Sequence, residues 1–212
     1  MSGDAGGGQS PGTDRQRDIV AAARRILESE GPAAVTMRRV AAELGIQAPS
    51  LYKHIADKGV VEGLLQQHAM AEFGAAVRAG GRVPHEVAAA YRAWARRNPH
   101  LYEIAVRRPL RRDVVGATEQ FAAEPLIEAF GGDPDRAMAF LGLAHGLVDL
   151  ELSGHFPSGT DIDAIWLVAV ACLATGPTPA RRSPGTPRGA TAVTRRAAAQ
   201  SPGAQASRKS AP

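Results

Sequence analysis

The chain has 212 residues, 44% of them hydrophobic, a size and composition able to bury a globular core. Its single cysteine, Cys172, excludes a disulfide framework or a zinc ribbon, and the longest apolar run, Ala164 to Ala174, is too short for a bilayer span, so a cytoplasmic protein is expected. The net charge of +4 is unevenly spread: residues 15–59 carry +3, residues 60–175 carry −4, and residues 176–212 carry +7 without one acid.

Residues 1–12 have no apolar pattern and read as a disordered leader. Thr13-x-x-Gln16 has capping-box spacing and opens a helix with Ile19, Ala23, Ile26 and Leu27 on one face; Gly31-Pro32 stops it. Thr36 caps a short second helix with Met37, Val40 and Leu44 on one side, ended by Gly45. A third starts near Gln47 and Pro49, with Leu51 and Ile55 toward the core. Asp57 caps a long fourth helix with the stripe Val60/Val61, Leu64/Leu65 and His68, fading toward Gly80-Gly81.

Helical signals continue beyond Gly81. Pro84 suits a first helical position, and Asn98-Pro99 reads as a cap followed by proline at the first helical position, with a break between Arg97 and His100. Phe121, Leu126, Ile127 and Phe130 mark a further helix, interrupted or kinked near Pro125. Asp133-Pro134 opens a long helix to about Ser153, and Thr160-x-x-Asp163 caps the last one. No alternating run indicates a strand, so the fold is expected to be all-α. Residues 176–212 hold one valine and no larger aliphatic or aromatic residue, and read as a disordered basic tail.

The functional signal lies in residues 35–55, Val-Thr-Met-Arg-Arg-Val-Ala-Ala-Glu-Leu-Gly-Ile-Gln-Ala-Pro-Ser-Leu-Tyr-Lys-His-Ile. Two short helices joined by a tight turn at Gly45, locked by Val40, Leu44, Ile46, Leu51 and Ile55, make a helix-turn-helix, whose second helix enters the major groove. Ala48, Ser50, Tyr52, Lys53 and His54 fall on its outward side, all short, polar or cationic. Lys58 adds a charge at a helix N-terminus, both suited to a phosphate. Residue type alone also allows Tyr52 to serve the small core, and leaves Arg38 and Arg39 open between DNA contact and solvated surface.

This stretch resembles the tetracycline-repressor (TetR) family of bacterial transcription regulators. Leu51-Tyr52-Lys53-His54-Ile55 followed by Asp57-Lys58 is similar to the family's recognition-helix signature, and Thr36…Ala41…Leu44-Gly45-Ile46 to its preceding helix. The departures are Gln47 at the recognition-helix cap, Ile55 for the usual phenylalanine, and Gly59 and Gly63 early in the fourth helix. The resemblance implies an N-terminal three-helix DNA-binding domain (residues 13–58) and a C-terminal helical regulatory and dimerisation domain (59–175). It implies DNA contacts by Thr36, Arg38, Ala48, Ser50, Tyr52, Lys53, His54 and Lys58.

A second resemblance, to TetR ligand domains bearing a His-Gly element, rests on Trp94, Asn98-Pro99-His100-Leu101-Tyr102 and His145-Gly146. The aromatic residues of the acidic middle suit an apolar cavity, and Tyr91, Trp94, Tyr102, Phe121 and His145 are its candidate ligand contacts. A hydrogen-bonded core histidine is the competing reading of His145, and a core role that of Trp94 and Tyr102. The helix over about 134–153 is apolar on two faces and that over 161–174 all round, so one side of each should meet a second subunit, with Gly142-x-x-x-Gly146 allowing close approach.

The expected function is a homodimeric repressor, released from a palindromic double-stranded operator by an apolar or amphipathic effector. Two other readings stay open: a nonspecific nucleic-acid binder acting through the basic tail, and a helical small-molecule-binding protein. No enzymatic activity, metal or cofactor is expected, because the six histidines lack ligand spacing and no nucleophile elbow, Walker loop or dinucleotide fingerprint occurs.

Overall fold

Residues 11–175 are described by this computed structural model, and among them every regular element is helical. Residues 1–10 of the expected leader and the basic tail from 176 lie outside the described residues, whereas Pro11 and Gly12, expected in the leader, are helical. Helix α1 (Pro11–Glu30) begins two residues before the Thr13 box, at a proline whose fixed φ suits a first turn. Its face Ile19, Ala23, Ile26 and Leu27 is buried. The helix exits at Gly31, φ +83°, into a single 3-10 turn, Pro32–Ala34.

Thr36 caps α2 (Met37–Glu43) by accepting from the Arg39 N–H at 3.1 Å, and Gly45, φ +66°, makes the turn to α3 (Ala48–Leu51). Asp57 caps α4 (Lys58–Gly80) through the Val60 N–H at 2.9 Å. The buried stripe of α4 is Val61, Leu65, Ala69, Phe73 and Val77, a four-residue repeat that leaves His68 exposed and corrects its expected inward place. Gln66 is buried instead, because α4 is the central strut: α1, α5, α6, α7 and α8 all pack on it.

Helices α5 (Pro84–Arg97) and α6 (Pro99–Arg107) meet at Asn98, whose side chain does not cap α6 as expected: its amide donates back to the Trp94 carbonyl of α5 at 2.9 Å. A short α7 (Arg112–Val115), not signalled by sequence, leads into α8 (Thr118–Ala129). Helix α8 runs through Pro125, so of the interruption or kink expected there the interruption does not occur. Proline removes the N–H that would bond the Phe121 carbonyl; Arg78 of α4 donates to that carbonyl at 3.5 Å in its place.

Asp133 caps α9 (Pro134–Leu152) by accepting from the N–H groups of Asp135 and Arg136. The cap of α10 (Ile162–Thr175) is Asp161, which accepts from Ala164 N–H at 2.9 Å, and not Thr160, whose hydroxyl donates to the Pro157 carbonyl. Helices α9 and α10 pack on each other and on α5.

Candidate DNA interface and regulatory core

The helix-turn-helix divides cleanly between core and surface. Leu51 and Ile55 are buried, together with Val40 and Ala41 of α2. Between and around them Tyr52 is 53% exposed, Lys53 and His54 are exposed, and Ala48 and Ser50 are half-buried at the start of α3. A tyrosine half out of the core, beside exposed cationic and polar groups, is an edge that can enter a groove. Thr36 is exposed with its hydroxyl occupied by the cap. Lys58 is partly exposed and its ammonium sits 3.3 Å from Glu62.

The two arginines that sequence left open are told apart by their neighbours. Arg39 bonds Glu30 at 2.7 Å and Glu43 at 2.9 Å, and Glu43 also accepts from Arg25. The Arg39 guanidinium, with Arg25 adding, holds the Glu43 carboxyl below its ordinary range. This network ties α1 to α2 and occupies Arg39 structurally, whereas Arg38 is exposed.

Behind the DNA-binding helices, Tyr91, Tyr102 and His145 converge from α5, α6 and α9. The Tyr91 hydroxyl bonds His145 Nδ1, and the Tyr102 hydroxyl donates to the His145 carbonyl at 3.2 Å. Burial pushes both phenols up and the His145 imidazole down from their usual ranges. Burial thus favours the neutral form of the imidazole. Phe73 packs edge-on against Tyr91 at 5.2 Å and Trp94 at 5.6 Å. The indole N–H groups of Trp94 and Trp166 are buried without an acceptor.

Four of the five candidate ligand contacts thus belong to one aromatic cluster. Phe121 does not: it is 40% exposed on α8, with the Arg78 guanidinium 4.2 Å over its ring and Gly74 beneath it.

The outer side of α9 and α10 is apolar and uncovered. Met138 and Leu143 are exposed on α9; Leu167 and Val168 are 64% and 63% exposed on α10. Gly142 and Gly146 have open space over their Cα atoms. Between the two helices runs an open groove of about 470 Å³, lined by Leu143, Leu147, Ala164, Val168 and Cys172 among others.

Comparison with known proteins agrees with this architecture. Residues 19–60 match the bacterial regulatory proteins of the tetR family, and residues 85–173 match the tetracyclin repressor-like C-terminal domain. The uncharacterized HTH-type transcriptional regulator Rv0681 of Mycobacterium tuberculosis is 30% identical over 179 residues, 76% of this chain and 80% of that protein. The chain belongs to the TetR family of transcriptional regulators. Two solved structures share its fold. The protein SCO4313 superposes with a TM-score of 0.63 at 21% identity, over 76% of this chain and 96% of that one. The multidrug binding protein EbrR, complexed with imidazole, gives 0.54 at 23%, over 78% and 97%.

One part of this TetR regulator had no sequence signal. Gln66 of α4 donates to the carbonyls of Ile104 and Pro109, each at 3.2 Å, and accepts from the Arg111 N–H at 3.0 Å. Gln67 donates to the Val114 and Val115 carbonyls at 3.2 and 3.4 Å. Together they fasten the α6–α7 turn to α4. The glycines that looked like weak points in α4 make room for it: a Cβ at Gly63 would lie 3.0 Å from the side chains of Arg111 and Val114. A glutamine in a long helix reads as surface until its partners are known. At the other end of α6, His100 lies against Gly31, at the exit of α1. Helix α6 therefore touches the DNA-binding helices, α4 and the Tyr102–His145 pair at once. No helix among the described residues is long and apolar enough to cross a membrane.

Proposed function

We propose that the protein is a homodimeric repressor that binds a near-palindromic operator and is released by a small amphipathic effector. The observation that carries the reading is the exposed strip Tyr52, Lys53 and His54 with half-buried Ser50 beside it, anchored from behind by buried Leu51 and Ile55. In this reading Tyr52, Lys53, His54, Ser50 and Ala48 face base edges, while Thr36, Arg38 and Lys58 hold the backbone. Residues 13–58 serve as the DNA-binding domain and 59–175 as the regulatory one.

The dimer forms through the uncovered apolar face of α9 and α10, whose glycines admit a close helix crossing. Twofold symmetry then sets two recognition helices about 34 Å apart, one per half-site. The effector enters the Tyr91–Trp94–Tyr102–His145 cluster. The unpartnered Trp94 N–H favours a ligand carrying a hydrogen-bond acceptor on an otherwise apolar body, and the fold-mate EbrR is a multidrug binding protein. A ligand that parts Tyr102 from His145 moves α6, and with it the contact at Gly31 and the fastening on α4.

Selection of bound duplexes from a random pool tests the proposal. Enrichment of one inverted repeat is expected; a pool that stays random through repeated rounds overturns it. Compounds that raise the thermal midpoint are then titrated against the selected duplex, with effector and operator expected to weaken each other by the same factor.

A further inference from the structure

Residues 60–175 carry a net charge of −4, yet four of their ten cations fall within six residues, Arg107-Arg108-Pro109-Leu110-Arg111-Arg112. This is the α6–α7 turn that Gln66 clamps. It is held beside the start of α4: a Cβ at Gly59 would lie 2.5 Å from Arg111 Nη1 and 3.0 Å from the Oδ1 of Asp57, the α4 cap. The turn thus lies against the N-terminal end of α4, the end that carries Lys58.

Three of the four arginines meet acids on the surface. Arg107 pairs with Asp149, Arg111 with Asp113 at 2.8 Å, and Arg112 with Glu119 at 3.2 Å. Arg108 is exposed and makes no ion pair among the described residues. Arg112 keeps 71% of its side chain in solvent. Exposed pairs of this kind are weak and open readily, and a guanidinium binds a phosphate through two parallel hydrogen bonds.

We propose that this turn is a second phosphate-contacting element, in which Arg108 and Arg112 bind the DNA backbone flanking the bases read by α3. Arg111 bridges the turn to α4, and the Gln66 bonds keep the cations from swinging away. The regulatory helices then touch DNA themselves, and any shift of α6 alters those contacts directly. The proposal rests on the DNA-binding reading above.

The test measures binding of the full chain to random-sequence double-stranded DNA over a series of salt concentrations. For the Arg108→Ala/Arg112→Ala variant, the slope of log affinity against log salt should flatten by about 0.9 for each phosphate no longer neutralised. Arg108→Gln/Arg112→Gln should flatten it equally, Arg108→Lys/Arg112→Lys should keep most of it, and Arg82→Ala, beyond the far end of α4, should leave it unchanged. Unfolding midpoints should stay within a degree or two, on the order expected of surface substitutions. An unchanged slope in the alanine and glutamine pairs, while Lys58→Ala flattens it, overturns the proposal and leaves the helix-turn-helix reading intact. Absence of DNA binding by the wild-type chain overturns both.

Discussion

Replacing Gln66 by leucine should be among the most damaging single changes outside the apolar core. The carboxamide is fully buried and makes three hydrogen bonds, two donated and one accepted. Leucine has similar bulk, so little cavity forms, but the Arg111 N–H and the carbonyls of Ile104 and Pro109 are left without a partner. A buried polar group left unsatisfied costs about 1–3 kcal/mol. Partial access of water at the exposed turn and the added apolar burial of leucine, about 1–2 kcal/mol, offset some of this. A net loss of about 2–4 kcal/mol is expected, or roughly 5–15 °C in the thermal midpoint for a folded part of this size. Gln67→Leu, at a half-buried position that water can reach and whose amide makes two longer bonds, should cost no more than about 1.5 kcal/mol. Urea unfolding of wild type and both variants at one fixed protein concentration measures the difference, since dimerisation would make the midpoint concentration-dependent. A Gln66→Leu protein within about 0.5 kcal/mol of wild type would refute the clamp, because that is the range of an indifferent surface change.

Leu167→Glu or Val168→Glu should convert the dimer to monomer in sedimentation, because each charge would be desolvated without a partner at a cost of several kcal/mol; a wild-type monomer at micromolar concentration would count against the interface. Lys53→Ala and Tyr52→Phe should weaken selected-operator binding more than Arg82→Ala, whereas Lys58→Ala should lower affinity for all duplexes alike; equal losses throughout would contradict the placement of the recognition helix. Arg24→Ala should cost stability rather than DNA contact, since Arg24 bridges Glu72 at 2.8 Å. Burial holds His145 below the ordinary imidazole range, so the unfolded chain takes up a proton that the native cluster refuses, and stability should fall as pH drops below about 6.5. His145→Gln should flatten that dependence between about pH 7 and 5 in pH-resolved unfolding, and an unaltered pH profile would show that the imidazole takes up its proton alike in the folded and unfolded chain, against its being held neutral by burial.

Local chemistry made much of this protein legible in sequence. Helix ends are written in short-range signals, so Thr36, Asp57, Asp133 and the glycine exits at 31 and 45 appear as caps and turns where expected. The helix-turn-helix is equally local: its core and its outward strip lie within about twenty residues, and family resemblance rests on that run. The uncovered face of α9 and α10 was also foreseeable, since a helix apolar all round must be covered on more than one side.

What the tertiary structure alone decided are relations between residues distant in the chain. Sequence periodicity placed His68 inward on α4, but the direction of the core is set by the five helices that pack on that strut, and it selects Gln66 instead. Pro125 breaks a helix in isolation, yet here a guanidinium from α4 takes up the carbonyl it orphans. Aromatic composition grouped Phe121 with Tyr91, Trp94, Tyr102 and His145, while packing turned it outward under Arg78. Gly59 and Gly63 look like defects in helix propensity; their missing Cβ atoms are the space into which the α6–α7 turn fits. Propensity and capping act over a few residues and can be read along the chain, whereas burial and hydrogen-bond satisfaction depend on which distant surfaces meet.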